Sequence, residues 1–303
     1  MDVPFGNPTT VEGVALGRRL FYDRRLSGDA SEMHADCHAP QFAFSDKGSR
    51  FSTGIDGIEG TMNAPAIVNP GWLPALFWDG RAATLEAQAI EPVENPIEMH
   101  ASWDDVVAEL AADPRYGDLF GRAFGSAEIT RDRVVAAVAQ FERTFLSNNS
   151  RYDRFLRHEG TLTQAELRGY TLFFTEKADC FHCHGNIMLT DQLFQNNGLD
   201  AEIAGTGLGA VTGNPNDDGK FKTPTLRNIA VTAPYMHDGR FATLEDVVAH
   251  YNTGGVFSPT VHPLIRVGRG LGMSESEVSD LIAFLRTFTD STFLTNPALA
   301  PPD

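Results

Sequence analysis

Apolar residues along this chain recur mostly at helical spacing and seldom alternate. The strongest stretch is Asp132 to Leu146, where Val134, Val135, Val138, Phe141 and Phe145 gather on one face behind Thr130, a good N-cap residue. Thr9 to Tyr22 reads as a second amphipathic helix, ending before the Leu26-Ser27-Gly28-Asp29 turn. Ser102 is placed to cap Trp103 to Ala112, and Pro114 follows the end of that helix. Thr163-Gln164-Ala165-Glu166 has the form of a capping box. Thr243 caps a helix through Tyr251 that stops before Gly254-Gly255, and Ser274 with Glu277 opens a last helix to Phe288. Strand signals are few and short, so the pattern predicts a mainly α fold.

The chain also repeats itself. Asp79-Gly80-Arg81-Ala82-Ala83-Thr84-Leu85-Glu86 returns as Asp238-Gly239-Arg240-Phe241-Ala242-Thr243-Leu244-Glu245, an offset of 159 that also relates Pro65 to Pro224 and Asn69 to Asn228. Upstream, Cys37-His38 parallels Cys183-His184 at an offset of 146, and Phe44-Ser45-Asp46 parallels Leu189-Thr190-Asp191. The second copy therefore carries about 13 extra residues, which the Gly-rich stretch from Gly198 to Gly219 would accommodate as loop. Ser147-Asn148-Asn149-Ser150 breaks the helical pattern and predicts the boundary, giving related domains at 1–150 and 151–303.

Charge narrows the partners. Forty Asp and Glu against 24 Lys and Arg give a net charge of −16, which argues against a broad nucleic-acid surface. It suits solubility or a basic electron-transfer partner. No apolar run reaches membrane-span length. Met1-Asp2-Val3-Pro4 has neither the basic nor the apolar region of a signal peptide, and the three cysteines give no disulfide framework.

Two of those cysteines lie in Cys180-Phe181-His182-Cys183-His184, a C-x-x-C-H run. Cysteines at this spacing can each form a thioether with a haem vinyl group, which puts the following histidine under the iron. Zinc would want a second ligand pair, and the remaining cysteine, Cys37, is far upstream; a redox dithiol would not need His184. Haem c is attached outside the bacterial cytoplasm, so the expected location is periplasmic, with the leader absent and Met1 an expression start.

The order and spacing of several motifs resemble the bacterial di-haem cytochrome c peroxidase and MauG family over nearly the whole chain. The resemblance rests on Arg19-Leu20-Phe21 with Leu26-Ser27, Cys37-His38, Phe77-Trp78-Asp79-Gly80-Arg81 and Glu91 through Met99. It continues through Lys222-Thr223-Pro224-Thr225-Leu226-Arg227-Asn228 and Pro234-Tyr235-Met236-His237-Asp238-Gly239. It implies two cytochrome c-like haem domains, the first binding hydrogen peroxide and the second transferring electrons. Gln88 and Glu98 match the distal pair over the first haem, with Pro92 in the same wall, and a carboxylate there moves a proton between the peroxide oxygens. Trp78 matches the tryptophan placed between the haems; the plainer alternative is a core aromatic. Asn63 and the carbonyl oxygens of Thr232 and Pro234 match a calcium site, whose hard oxygen donors suit that ion. Resting peroxidases of the family close the first iron with a histidine before the Asn-x-Pro motif. Gly54 to Met62 contains no histidine, so that iron is expected to keep an open position.

The chain departs from the family at His34-Ala35-Asp36-Cys37-His38, where His34 stands in place of the first cysteine. Three readings compete. The preferred one has haem held by one thioether to Cys37 with His38 as proximal ligand, because the iron ligand and one anchor survive. In the others the site is empty, or His34 does chemistry of its own; an exposed loop residue is the plainest account of that histidine. At the second haem, ordinary peroxidases place a methionine where this chain has Tyr251, as MauG-like members do. Tyrosinate is a hard ligand favouring oxidised iron. Met236, Met188, Met273 and His250 are the competing ligands, while His182, His262 and His237 read as structural.

The expected activity is that of a MauG-like di-haem oxidase, which uses peroxide to oxidise a residue, typically tryptophan, of a partner protein by long-range electron transfer. A cytochrome c peroxidase fed by a small redox protein is the first alternative, and a mono-haem electron carrier with a decayed first site is the second.

Overall fold

Side-chain caps set where most of the helices begin. The computed structural model describes residues 1, 3–46 and 48–302, and in it the chain divides into two compact units. The first comprises Met1–Leu76, Ala82–Leu146 and Phe293–Asp303; the second comprises Phe77–Arg81 and Ser147–Thr292. The fold is mainly α, with one two-stranded sheet in the second unit.

In the first unit the helices are α1 (Val11–Phe21), α2 (His34–Cys37), α3 (Leu85–Glu94), α4 (Trp103–Ala112), α5 (Pro114–Phe124) and α6 (Arg131–Glu142). Thr10, Thr84, Ser102 and Thr130 cap α1, α3, α4 and α6 through their hydroxyl oxygens, each satisfying a backbone N–H that the helix leaves open. The core is aromatic: Phe21 meets Phe44, Phe141 and Phe145 edge-on, and Phe44 stacks on Phe145 at 3.9 Å. Gly17 lets α1 lie directly on α6, since a Cβ there would come within 1.9 Å of the Ala137 carbonyl oxygen.

The second unit is built the same way. Its helices are α7 (Arg151–Leu156), α8 (Gln164–Phe173), α9 (Phe181–His184), α10 (Leu208–Thr212), α11 (Leu244–Thr253) and α12 (Glu275–Leu285), and β1 (Phe194–Gln195) pairs antiparallel with β2 (Phe221–Lys222). α13 (Ser291–Leu294) leads from this unit into the closing segment of the first. Helix α8 packs along α12 as α1 does along α6, and Gly169 permits it: a Cβ there would lie 2.0 Å from the Asp280 carbonyl oxygen. Phe173, Phe284 and Phe288 form the fully buried centre of its core.

The repeat extends to backbone detail. Asn69 and Asn228 both adopt left-handed conformations before a 3₁₀ turn, Phe77 and Met236 both have positive φ, and the bridge Leu76–Ala82 is repeated as Tyr235–Phe241. α3 and α11 are each ten residues long and begin after Thr84 and Thr243. The structure adds a match outside the sequence reading. Phe141-Glu142-Arg143-Thr144-Phe145 corresponds to Phe284-Leu285-Arg286-Thr287-Phe288, and in both the threonine hydroxyl donates to the phenylalanine carbonyl oxygen at 2.6 Å.

Several boundaries differ from the sequence pattern. α6 ends at Glu142 instead of Leu146, because Thr144 and Phe145 tighten into turns on Phe141 and Glu142. The helix after Ser274 ends at Leu285, passes into a 3₁₀ turn over Arg286–Phe288, and is followed by α13. Pro114 does not only follow α4; it opens α5, capped by Asp113, because proline fits a first helical position where no N–H partner is needed. The 198–219 stretch contains α10 as well as loop.

Candidate functional site

The C-x-x-C-H run folds as α9 with the residue before it, and His184 N–H donates to the Cys180 carbonyl oxygen at 2.9 Å. Since a carbonyl oxygen can only accept, the 2.8 Å contact from His184 Nδ1 to Leu189 O fixes the proton on Nδ1. Nε2 is then the ring nitrogen with a lone pair to offer iron, the tautomer a proximal ligand needs. Leu189 adopts positive φ to present that oxygen. Cys180 and Cys183 are free thiols, and burial pushes them up to about 12 and about 11. His182 faces away to bond Asp179.

Tyr251 and Met236 belong to the same unit, and Tyr251 is close enough to Cys180 and Cys183 to feel their charges. Asn197 Nδ2 lies 3.4 Å from Tyr251 Oη and 3.4 Å from Met236 Sδ. Burial pushes the Tyr251 phenol up to about 12, against the smaller opposing effect of the Asn197 amide. Of the other candidates, His250 uses Nε2 to bond the Asn197 carbonyl oxygen at 3.0 Å and Met273 is buried in the hydrophobic core, while Met188 accepts a hydrogen bond from Thr225 on its backbone carbonyl. Asn197 is held in place because Asn196 Nδ2 donates to Ser258 and Thr260, and Gly198 O accepts Val256 N–H.

The first unit reproduces the proximal arrangement. His38 N–H donates to His34 O at 2.9 Å, and His38 Nδ1 donates to Phe44 O at 2.7 Å, again leaving Nε2. Cys37 ends α2 as a free thiol, pushed up to about 12 by burial and then by Glu32. Backbone register puts His34 where the second unit has Cys180. His34 is not an exposed loop residue: it is 9% exposed, its ring stacks near Phe21, and neither ring nitrogen has a hydrogen-bond partner. Burial lowers its pKa to about 4.

The three distal residues expected here belong to this unit. Gln88 and Pro92 are on α3, and Glu98 follows in a loop that folds back onto the end of the helix through Met99 N–H to Pro92 O and Ala101 N–H to Val93 O. Asn95 Nδ2 donates to Glu98 Oε1 at 2.7 Å, and Ile55 N–H donates to the Glu98 carbonyl oxygen, so side chain and backbone are both oriented. Glu98 is among the charges that raise the Cys37 thiol. The 159-residue offset aligns Pro92 with Tyr251, each the eighth residue of its helix. The first unit therefore has no donor atom at the position where the second has a phenol.

Residues 11–161 match the family model described as di-haem cytochrome c peroxidase. The methylamine utilization protein MauG of Methylorubrum extorquens is 42% identical over 287 residues, covering 94% of this chain and 80% of the relative. The chain belongs to the di-haem cytochrome c peroxidase and MauG family. The cytochrome c551 peroxidase of Nitrosomonas europaea is 36% identical over 300 residues, 97% of this chain and 85% of that protein. A solved MauG-like protein associated with microbial copper homeostasis has a TM-score of 0.93 at 40% identity, covering 99% of this chain and 95% of that one. This family member is a peroxide-dependent di-haem oxidoreductase, and its family implies two haem c groups and hydrogen peroxide as substrate. Membership sets aside the mono-haem carrier.

The residues present fit the two haems, with one exception. Each unit offers a histidine whose Nδ1 is tied to a backbone carbonyl and whose Nε2 is left for iron; the second offers two thiols and the first offers one plus His34. Of the remaining expected residues, Trp78 belongs to the second unit, where it is buried and its carbonyl oxygen accepts Lys222 N–H at 2.8 Å. Asn63 lies in the first unit, its amide donating to Ser49 O and Arg50 O, whereas Thr232 and Pro234 lie in the second. Sequence reasoning missed Asn197, Asn95 and the two orienting carbonyls. Asn95 was detectable as an Asx residue three before Glu98, but Asn197 sits in a loop whose path only folding reveals. No helix among the described residues is long and apolar enough to cross a membrane.

Proposed function

We propose that this protein is a MauG-like oxidase that spends hydrogen peroxide in the first unit and uses the oxidising equivalents on a residue, typically tryptophan, of a partner protein. The observation that carries this reading is Tyr251, whose hydroxyl shares the Asn197 amide with Met236 in the second unit. A hard phenolate stabilises oxidised iron, which suits an enzyme that must hold oxidising equivalents, whereas a thioether raises the potential. The MauG and MauG-like relatives support the same assignment. The association of the latter with copper homeostasis makes a copper-handling protein a candidate partner.

When bound, haem supplies the iron at which peroxide is split and the oxidising equivalents are stored. The chain's part is to place protons and to guide electrons. Glu98, oriented through Oε1 by Asn95, takes the proton from one peroxide oxygen and returns it to the other, while the Gln88 amide orients the substrate. Pro92 supplies an apolar wall without a competing ligand. Trp78 is the relay, with the Asp79–Arg81 ion pair beside it. Cys37 would anchor the first haem by a thioether, with His38, His184 and Tyr251 as the iron ligands. The expected domains 1–150 and 151–303 carry the peroxide-binding and electron-transfer roles, although the compact units assign 77–81 to the second and 293–303 to the first, and the protein works in the periplasm.

Stoichiometric peroxide added to the all-ferric protein tests the reading. Both haem spectra should change without added reductant; a spectrum that stays unchanged until a reductant is supplied overturns it. The cytochrome c551 peroxidase relative favours a second reading, peroxide reduction with electrons from a small redox protein. Rapid steady-state turnover with such a donor would decide for it.

A further inference from the structure

His34 is the member of the two haem motifs whose presence the family reading leaves unused. Its backbone repeats that of Cys180: each accepts, at 2.9 Å, the N–H of the histidine four residues on. Each also stands three residues before a thiol, Cys37 or Cys183, the spacing at which the pair in the second unit reaches two vinyl groups. The ring is more than nine-tenths buried beside Phe21, and both nitrogens lack a hydrogen-bond partner. An unmet buried polar group is costly, so such a side chain calls for a partner. The ring contact it makes is with Phe21, which supplies none.

We propose that His34 is a covalent attachment residue, one of its ring nitrogens bonding the vinyl carbon that a first cysteine would otherwise take. This rests on the reading that the first unit holds haem c through Cys37, and it makes the first haem a doubly anchored group with one C–S and one C–N bond. The step is an addition. The nitrogen lone pair forms a bond to the vinyl α-carbon, the π pair of the double bond takes a proton at the β-carbon, and the imidazole gives up its N–H proton. One π bond and one N–H bond are exchanged for a C–N and a C–H bond. No electron enters or leaves, as in thioether formation at Cys180 and Cys183.

The test uses the full haem-loaded chain. Denaturing intact mass, acid extraction of loose haem and the pyridine haemochrome spectrum are compared for wild type, Cys37→Ser, His34→Ala and the double variant. Expected are two covalent haems in the wild type, in C37S and in H34A, and one in the double variant, whose first haem becomes extractable. H34A should also move the haemochrome band toward that of a haem with a free vinyl. Loss of a covalent haem in C37S alone, or an unchanged haemochrome in H34A, overturns the proposal and leaves His34 satisfied by a buried water. Wild type with one covalent haem and a second extractable haem, or with none extractable, overturns the Cys37 reading and this proposal together. Should a variant fail to mature, wild-type peptides decide: a silver salt cleaves thioethers, so haem that stays on the 34–38 peptide supports the C–N bond, and complete release overturns it.

Discussion

Eight residues into the helix that follows each Asp-Gly-Arg turn, the first unit has Pro92 and the second has Tyr251. The helices have the same length and the same threonine cap, so backbone alone does not distinguish them. Proline has no donor atom and no N–H; tyrosine carries an oxygen that the Asn197 amide steadies. One duplicated frame thus holds a position without a side-chain donor in one copy and a hydroxyl in the other. A second difference lies at the helix end, where the first unit buries Glu142 and the second buries Leu285 at the corresponding position. Burial pushes the Glu142 carboxyl up to about 8, with Arg143 opposing the shift. The repeat tolerates exchange of chemistry wherever the fold needs only a side chain of suitable size.

The largest effect expected from disturbing this asymmetry is in the first unit. Glu98→Gln keeps the Asn95 contact while removing the proton carrier, and should slow the reaction with peroxide by roughly 10²–10⁴-fold. Stopped-flow mixing measures it, and a rate within twofold of wild type removes Glu98 from the proton path. Next is Tyr251→Met, which gives the second unit the ligand of ordinary peroxidases. The second haem's potential should rise, within the ~0.8 V span that axial ligands cover. Oxidation of the partner should fall more than peroxide reduction with an artificial donor. A redox titration showing no upward shift would mean that Tyr251 is not the ligand.

Packing offers a comparison in which the two units should behave alike. Gly17→Ala and Gly169→Ala each force a methyl group against a carbonyl oxygen at a helix crossing, and each should cost about 1–3 kcal/mol by denaturant unfolding. A loss at one crossing only would show that the repeat is not energetically equivalent. The smallest effect concerns Glu142. Its folded pKa of about 8 lies above its ordinary value, so the folded state binds the extra proton and stability falls as pH rises from about 5 to 8. The single-group slope approaches ~1.4 kcal/mol per pH unit. Glu142→Gln should flatten it, and thermal melts across that interval on both proteins will show whether it does.

Much of this was legible in the residues themselves. Helix periodicity and cap residues were local signals, so α1, α4, α8 and α11 were found to within a few residues, because a cap acts on N–H groups two or three positions away. The haem motif and the repeat were legible for the same reason: spacing and duplication are written along the chain, whereas Tyr251 was singled out by the family resemblance. Helix α5 was missed because Pro114 ends one element and opens the next, and its sign depends on Asp113 acting as a cap. Only the tertiary structure decided that His34 is buried without a partner, that Leu189 and Phe44 carbonyls set both proximal tautomers, and that Asn197 serves Tyr251 and Met236 together. Those depend on which side chains exclude water and which loops meet, and contacts between residues 39 or 54 positions apart leave no periodic trace in a sequence.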